Sequence, residues 1–308
     1  MTNELAPVVL FAYNRPTHLK RTLDSLSACR LADRSAIHVF ADGARNAAAQ
    51  EGVAEVRHLL EKEATAARFA SFRVYAATTN KGLARSIIEG VGRILDEYDR
   101  VIVLEDDLLV SGDFLEFMNA CLDFYAEDPA IGSVTGFCPL ESVPGNDSSG
   151  VFMVNRNSSQ GWGTWRRVWA GVDWAAAAAA SLDQDLGLRR EFNREGNDRY
   201  DRLRRQLAGR IDSWSIRFGL SLFVRGLGTV YPAVNRIENI GYDGSGVHSG
   251  TGQPKNARIA ESSYELGPLR PNRAAQREFN RVYSGALVGR LLRDLLALWP
   301  RLSGWVGR

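Results

Sequence analysis

The feature that most constrains the fold is the alternation of short and long segments over the first 137 residues. Short apolar runs rich in β-branched residues are separated by longer segments whose apolar residues recur at helical spacing. This alternation predicts an α/β fold with a mainly parallel sheet, because parallel strands need long crossovers that are usually helices. Strands are predicted near residues 8–13, 37–42, 72–78, 100–105 and 131–136. Helices are predicted from Pro16 onward and over residues 47–67, 82–97 and 113–126.

The second half of the chain is less regular. An alanine run at 175–180 and the charged segments that follow it, up to about residue 208, predict solvent-facing helices. The remaining predictions are a strand over 150–155, an aromatic segment at 161–165, a helix over 212–225, a strand over 229–234 and a glycine-rich loop over 241–252.

We divide the chain into a domain over residues 1–250 and a C-terminal extension over 251–308. Within the domain, the nucleotide-binding half covers about 1–137 and the acceptor half about 138–250. The extension contains a predicted amphipathic helix over 286–299, with leucines at helical spacing opposite arginines. Two interpretations of this helix stay open: packing against its own domain or a second subunit, and docking on an anionic membrane surface.

Composition excludes several classes of partner. A net charge of +2 gives no general argument for nucleic-acid binding. The three cysteines are too few and too scattered for a disulfide framework or a zinc site. The N-terminus lacks the pattern of a signal peptide, and no apolar run is long enough to span a bilayer. We therefore expect a cytoplasmic protein, with peripheral contact to the inner face of the membrane left open.

Polar residues follow each of the first four predicted strands. They are Arg15 after the first, Asp42 after the second, Asn80 and Lys81 after the third, and the carboxylates 105–107 after the fourth. Ligands of open α/β sheets bind outside the carboxyl ends of the strands. The sequence therefore predicts a site at this edge.

The three successive carboxylates Glu105, Asp106 and Asp107 carry the strongest chemical signal. They would repel one another unless a cation or hydrogen bonds compensated their charge. Mg²⁺ or Mn²⁺ suits these hard oxygen ligands and keeps coordination positions for substrate phosphates. The alternative is that the aspartates cap the helix that follows Ser111 or lie in a solvated turn.

Residues 100–108, with this acidic cluster, resemble the metal motif of GT-A glycosyltransferases, in the variant of the N-acetylglucosaminyltransferase I-like family and its bacterial relatives. The resemblance covers roughly residues 7–250 and implies a GT-A, Rossmann-like sheet flanked by helices, with a C-terminal helical extension. Further segments are similar in order: 11–16, 41–43 and 80–84 to nucleotide-side turns, 161–165 to an aromatic acceptor-side element, and 212–214 to the segment that supplies the base.

For the donor, the resemblance implies Asp107 as the metal ligand, Asp106 as a ribose or metal-water contact and Glu105 as a neighbour of the sugar. It also implies nucleotide contacts for Asp42 and Arg15. The alternative for Arg15 is an ion pair with Asp42.

Three further donor-side residues have open alternatives. Asn80 lies in the turn that precedes the helix beside the base. Lys81 either contacts a phosphate or is a solvated turn residue. His248 lies in a loop with the flexibility of a lid, where it either completes the metal site, contacts the diphosphate or is an ordinary polar residue.

For the acceptor, Asp212 is the candidate general base, and Trp214 would line the acceptor pocket. The alternative is that Asp212 caps the helix it precedes. Trp162 and Trp165 either stack on sugar faces or belong to the core.

The resemblance thus implies a metal-dependent, inverting glycosyltransferase with Mn²⁺ or Mg²⁺. It would move a sugar from a nucleotide-diphosphate donor to a saccharide or lipid-linked acceptor in the synthesis of a surface glycan such as lipopolysaccharide or capsule. One alternative is a nucleotidyltransferase acting on sugar phosphates, which Pro16 disfavours because it supplies no N–H for a phosphate loop. The other is a non-catalytic carbohydrate-binding protein with the same fold.

Overall fold

Two β-sheets organise the residues that the computed structural model describes, which are 4–145, 149–244 and 258–284. The strands are β1 (Val8–Ala12), β2 (Ala36–Ala41), β3 (Ser71–Ala76), β4 (Arg100–Glu105), β5 (Leu108–Val110), β6 (Ile131–Thr135), β7 (Val151–Val154), β8 (Trp162–Trp165), β9 (Gly228–Pro232) and β10 (Ile237–Asn239). The large sheet has the order β3-β2-β1-β4-β8-β6-β9-β7, and β10 pairs with β5 in a small second sheet.

The helices lie mainly between these strands. They are α1 (Pro16–Ser27), α2 (Gln50–Thr65), α3 (Leu83–Glu97), α4 (Phe114–Phe124), α5 (Arg166–Trp169), α6 (Ala179–Gln184), α7 (Leu186–Phe192), α8 (Asp198–Leu207) and α9 (Trp214–Val224). A further helix covers residues 273–284.

The first four long strands are parallel, as the alternation of segments predicts. β1 pairs with β2 and β4, and β2 pairs with β3. Because parallel crossovers are right-handed, α1 and α2 lie on one face of this half-sheet and α3 on the other. Gly90 of α3 permits a close approach to the sheet, since a Cβ there would lie 2.8 Å from the ring of Phe11.

The second half of the large sheet is mixed. β8 runs antiparallel between β4 and β6, so the tryptophan segment predicted only as an aromatic element is a buried central strand. The helices predicted to face solvent over 175–208 instead enclose a small core of their own, which includes Leu182, Phe192 and Leu203. They also bury the charged residues Asp198 and Arg199, at 6% and 2% exposure.

The helix over 273–284 packs on the sheet through Phe279, whose ring contacts Phe152 and Tyr231. The predicted amphipathic helix over 286–299 lies outside the described residues. Within the described ranges, no helix has both the length and the apolar character needed to cross a membrane.

Candidate active site

The carboxylates of Asp106 and Asp107 share one guanidinium. Arg15 Nη2 lies 2.5 Å from Asp106 Oδ1 and 2.8 Å from Asp107 Oδ2. The backbone N–H of Tyr13 donates to Asp106 Oδ2 at 3.2 Å, and both aspartates are buried, at 4% and 7% exposure. The alternative of a solvated turn or a helix cap is therefore wrong. Arg15 pairs with these aspartates and not with Asp42.

One guanidinium does not neutralise two ionised aspartates. Burial, together with the charges of Asp107 and Asp106, raises the pKa of Glu105 to about 8, although the charge of Arg15 opposes this change. Burial also raises the pKa of Asp106 despite its bond to Arg15. Burial lowers the pKa of Arg15, but the attraction of the two aspartates outweighs this and the net change is upward. The strand end thus keeps an excess of negative charge.

The residues of this edge fit a divalent cation with a diphosphate. Among the described residues, no three side chains of metal-binding type come together. Mg²⁺-type ions need only one or two protein carboxylates when substrate phosphates supply the other ligands. Arg15 Nη1 is buried and has no hydrogen-bond partner among the described residues. A hydrogen-bond donor for an anionic group therefore lies next to the carboxylate oxygens of Asp106 and Asp107.

A short segment after β10 covers the acidic edge. Ile240 N donates to the carbonyl of Asp107 at 2.9 Å. Gly241 lies directly against the site, because a Cβ there would come within 2.2 Å of Asp107 Oδ2 and 3.0 Å of Arg15 Nη1. His18 Nε2 lies 3.1 Å from Asp243 Oδ2 in the same segment. His248 lies outside the described residues.

Asp42 organises the turn after β3. Its carboxylate accepts hydrogen bonds from the backbone N–H of Lys81 at 2.8 Å and of Gly82 at 2.9 Å. It also accepts from Asn80 Nδ2 at 2.9 Å. The structure therefore brings Asp42 and Asn80 together, as the strand ends predict, and gives both a positioning role in the loop.

Lys81 points away from this network. Its Nζ lies 2.7 Å from Glu89 Oε2, and both side chains are 41% exposed. This arrangement matches the solvated-turn alternative in the described conformation. A phosphate contact would require the side chain to leave Glu89.

The three candidate acceptor-binding tryptophans are buried. Trp162, Trp165 and Trp214 are 1%, 3% and 3% exposed. Trp162 stacks on Trp214 with ring centroids 4.7 Å apart, and Trp165 Nε1 donates to Leu122 O at 3.0 Å. Protein covers their faces, which argues against sugar stacking and favours the core alternative.

Asp212 is exposed at the start of α9. Its side chain is 65% exposed and lies 3.0 Å from Arg217 Nη2. Ser213 is the N-cap, accepting from Ile216 N at 3.4 Å, so the capping alternative for Asp212 is wrong. Its carboxylate is accessible to solvent, and its role as a base stays a prediction.

Sequence reasoning missed a basic pocket beside this helix. Arg156, Arg199 and Arg202 line it, together with Gln160 and the first turn of α9. Arg199 and Arg202 are three positions apart and lie on one face of α8, and this spacing is visible in the sequence. Such a charged helix face predicts contact with solvent, because charged residues are rarely buried.

Comparison with known proteins places the chain in a family. The GNT-I family model matches residues 1–170. No curated protein matches the chain significantly.

Solved structures with some similarity include a mannosyltransferase from Pyrobaculum calidifontis in complex with GDP-Man and Mn²⁺. It matches at 18% identity and a TM-score of 0.37, and the match covers 54% of this chain and 46% of that one. TarS 1–349 of S. aureus matches at 12% identity and a TM-score of 0.43, over 76% of this chain and 59% of that one. The complex of this TarS fragment with UDP-GlcNAc matches at 11% identity and a TM-score of 0.41. The match covers 75% of this chain and 57% of that one.

The chain thus spans between 46% and 59% of the length of these three structures, and similarity at this level carries no argument about activity. The family match covers more than half of the chain and agrees with the motifs at the ends of β1, β2 and β4. The predicted GT-A fold is confirmed, and the chain belongs to the GNT-I family of glycosyltransferases.

Proposed function

We propose that the protein transfers a sugar from a nucleotide-diphosphate donor, with Mn²⁺ or Mg²⁺, to a saccharide or lipid-linked acceptor. The observation that carries the proposal is the acidic edge, where Asp106 and Asp107 share one arginine whose Nη1 has no hydrogen-bond partner among the described residues. The family to which the chain belongs supports the reaction class.

On the donor side, Asp107 and Asp106 are the residues that would hold the cation. The cation would neutralise charge on the departing diphosphate, a contribution on the order of several kcal/mol. Arg15 Nη1 would donate to a phosphate oxygen, since it is the buried donor without a partner among the described residues. The turn organised by Asp42 would bind the nucleoside, and the segment around Gly241 would exclude water from the edge.

On the acceptor side, Asp212 is the proposed base. Its carboxylate would accept the proton of the acceptor hydroxyl as that oxygen attacks the anomeric carbon and the diphosphate leaves. This single displacement inverts the anomeric configuration. Arg217, 3.0 Å away, holds Asp212 Oδ1 in place. A role in surface-glycan synthesis on the inner face of the membrane is part of the same proposal.

The test offers a panel of nucleotide sugars with Mn²⁺ and measures release of nucleoside diphosphate. Asp107→Asn is expected to lower the rate by at least about 100-fold, because it weakens the binding of the cation that stabilises the leaving group. Asp33→Asn makes the same change at an exposed site and is expected to behave as the unaltered protein.

Two results would contradict the proposal. One is release of pyrophosphate from a nucleoside triphosphate, which would indicate nucleotidyl transfer. The other is saccharide binding without turnover of any donor, which would indicate a binding protein.

A further inference from the structure

A cavity of about 170 Å³ lies between α8, the first turn of α9 and residues 156–160. Three arginines line it: Arg156 from the segment after β7, and Arg199 and Arg202 from α8. Arg156 and Arg199 are almost fully buried, at 6% and 2% exposure. Burying charge on this scale is costly unless each charge is compensated.

Two of the three arginines have carboxylate partners. Arg156 forms a bidentate pair with Asp198, with both Nη–Oδ distances 2.8 Å. Arg199 Nη1 lies 3.5 Å from Glu195 Oε2 and 2.8 Å from the carbonyl of Phe192, to which it donates. These two carboxylates are thereby engaged.

Arg202 has no such partner within the described ranges. Its one side-chain hydrogen bond there is a long one, 3.4 Å from Nη2 to Ser213 Oγ. Burial lowers the pKa of Arg202, and the charge of Arg156 lowers it further. The pocket therefore carries one positive charge more than its own carboxylates neutralise.

Two other features of the lining favour a ligand. Ser215 and Ile216 belong to the first turn of α9, an 11-residue helix whose N-terminal end adds positive potential. The side-chain oxygen of Gln160 is buried and has no hydrogen-bond partner in the described part of the chain. An anionic group and a neighbouring hydroxyl would satisfy both the arginine and this oxygen.

The pocket adjoins the reacting end of the site. β8 lies beside β4, and Gln160 precedes the first residue of β8, Trp162, which pairs with Val103. The side chain of Tyr242 is hydrogen-bonded to that of Gln160, and burial and the charge of Asp107 raise the pKa of Tyr242. Ser213, which Arg202 contacts, directly follows Asp212.

We propose that this pocket binds an anionic group, a carboxylate or a phosphate, on the acceptor saccharide, with Arg202 as its specificity-determining residue. The identification of the ligand as an acceptor rests on the proposed function, whereas the anion site itself does not. A neutral acceptor leaves Arg202 without a counter-charge. An acidic one supplies that charge and positions the acceptor hydroxyl beside Asp212.

The first experiment measures binding by calorimetry at constant ionic strength. The probes are methyl glucuronoside for a carboxylate, glucose 6-phosphate for a phosphate, and methyl glucoside as the neutral counterpart. Arg202→Gln is expected to weaken binding of the preferred anionic probe by about 10- to 100-fold, because it removes one charge-assisted contact. Arg204→Gln, on the same helix, paired with Asp183 and outside the pocket lining, is the matched control and is expected to bind as the unaltered protein.

Each result separates the alternatives. Preference for methyl glucuronoside identifies a carboxylate site, and preference for glucose 6-phosphate identifies a phosphate site. The inference is overturned if Arg202→Gln binds both anionic probes as tightly as the unaltered protein does. An equal loss of affinity for nucleoside diphosphate on Arg202→Gln also overturns it, because the pocket would then serve the donor.

The second experiment measures transfer with a donor that the protein accepts. Arg202→Gln is expected to raise KM for acidic acceptors and to leave KM for neutral acceptors as it is. An equal change for both acceptor classes overturns the assignment. If no donor is turned over while the anions still bind through Arg202, the proposed function fails and the anion site stands.

Discussion

The acidic edge and the basic pocket differ in both charge and construction. The acidic edge consists of three consecutive residues at the end of β4, faced by one arginine from the neighbouring strand end. The basic pocket collects arginines from the segment after β7 and from α8, with Asp198 and Glu195 as their partners. The first keeps an excess of negative charge and the second an excess of positive charge.

This difference is the basis of our proposal that the two regions bind different substrates. An excess of negative charge suits a cation that arrives with the donor diphosphate, and an excess of positive charge suits an acidic acceptor. Gln160 lies between the two regions and lines the basic pocket. Each region can be disrupted separately, which is how the comparison is tested.

The largest effect is expected from breaking the charge balance of the basic pocket. Asp198→Asn leaves Arg156 buried without its bidentate partner and is expected to lower the free energy of unfolding by about 3–5 kcal/mol. Urea denaturation measures it. Glu278→Gln breaks an ion pair with the exposed Arg281 and is the control, with an expected change below about 1 kcal/mol. Similar changes in both variants would contradict a buried network.

A smaller loss is expected at the acidic edge. Arg15→Met removes the guanidinium that Asp106 and Asp107 share, and is expected to lower the free energy of unfolding by about 1–3 kcal/mol at neutral pH. The loss should shrink as pH falls, because protonated carboxyls do not repel one another. Denaturation at pH 5 and pH 8 measures this. A loss that grows toward low pH would contradict the charge argument.

The segment that covers the acidic edge allows a sharper test. Gly241→Ala places a methyl group against Asp107 Oδ2 and is expected to lower the rate of donor turnover by about 10-fold, through displacement of groups at the site. Gly267→Ala, at a position with open space and, like Gly241, no positive φ, is the matched control. Donor turnover and denaturation are measured for both, and an equal rate in both variants would contradict close contact at the edge.

The smallest effect is expected at a titratable group outside both regions. His38 is fully buried in β2, with Nδ1 3.1 Å from Tyr75 Oη, and burial lowers its pKa. The unfolded chain binds the proton more readily, so this residue's contribution to stability is present above pH ~6.5 and is lost as pH falls. His38→Phe keeps the ring stacking and should make the loss of stability between pH 7 and pH 5 shallower. An unchanged dependence of the free energy of unfolding on pH would contradict this expectation.

The sequence by itself determined the parallel half of the fold and the acidic edge. The strands β1, β2, β3, β4 and β6 lie within two residues of their predicted bounds. The physical reason is that β-branched runs and helical spacing act locally, and the ends of parallel strands meet at one edge whatever else the chain does. The carboxylates 105–107 could be recognised because they are consecutive.

Only the tertiary structure decided which charges meet and which aromatics are buried. Arg15 pairs with Asp106 and Asp107 because β4 lies beside β1, whereas Asp42 at the end of β2 is engaged by the turn after β3. Trp162 lies in the core because β8 inserts between β4 and β6. Arg202 reaches a pocket whose lining comes from elements distant in sequence. Local patterns report the period of an element, whereas burial and charge pairing depend on which elements pack together.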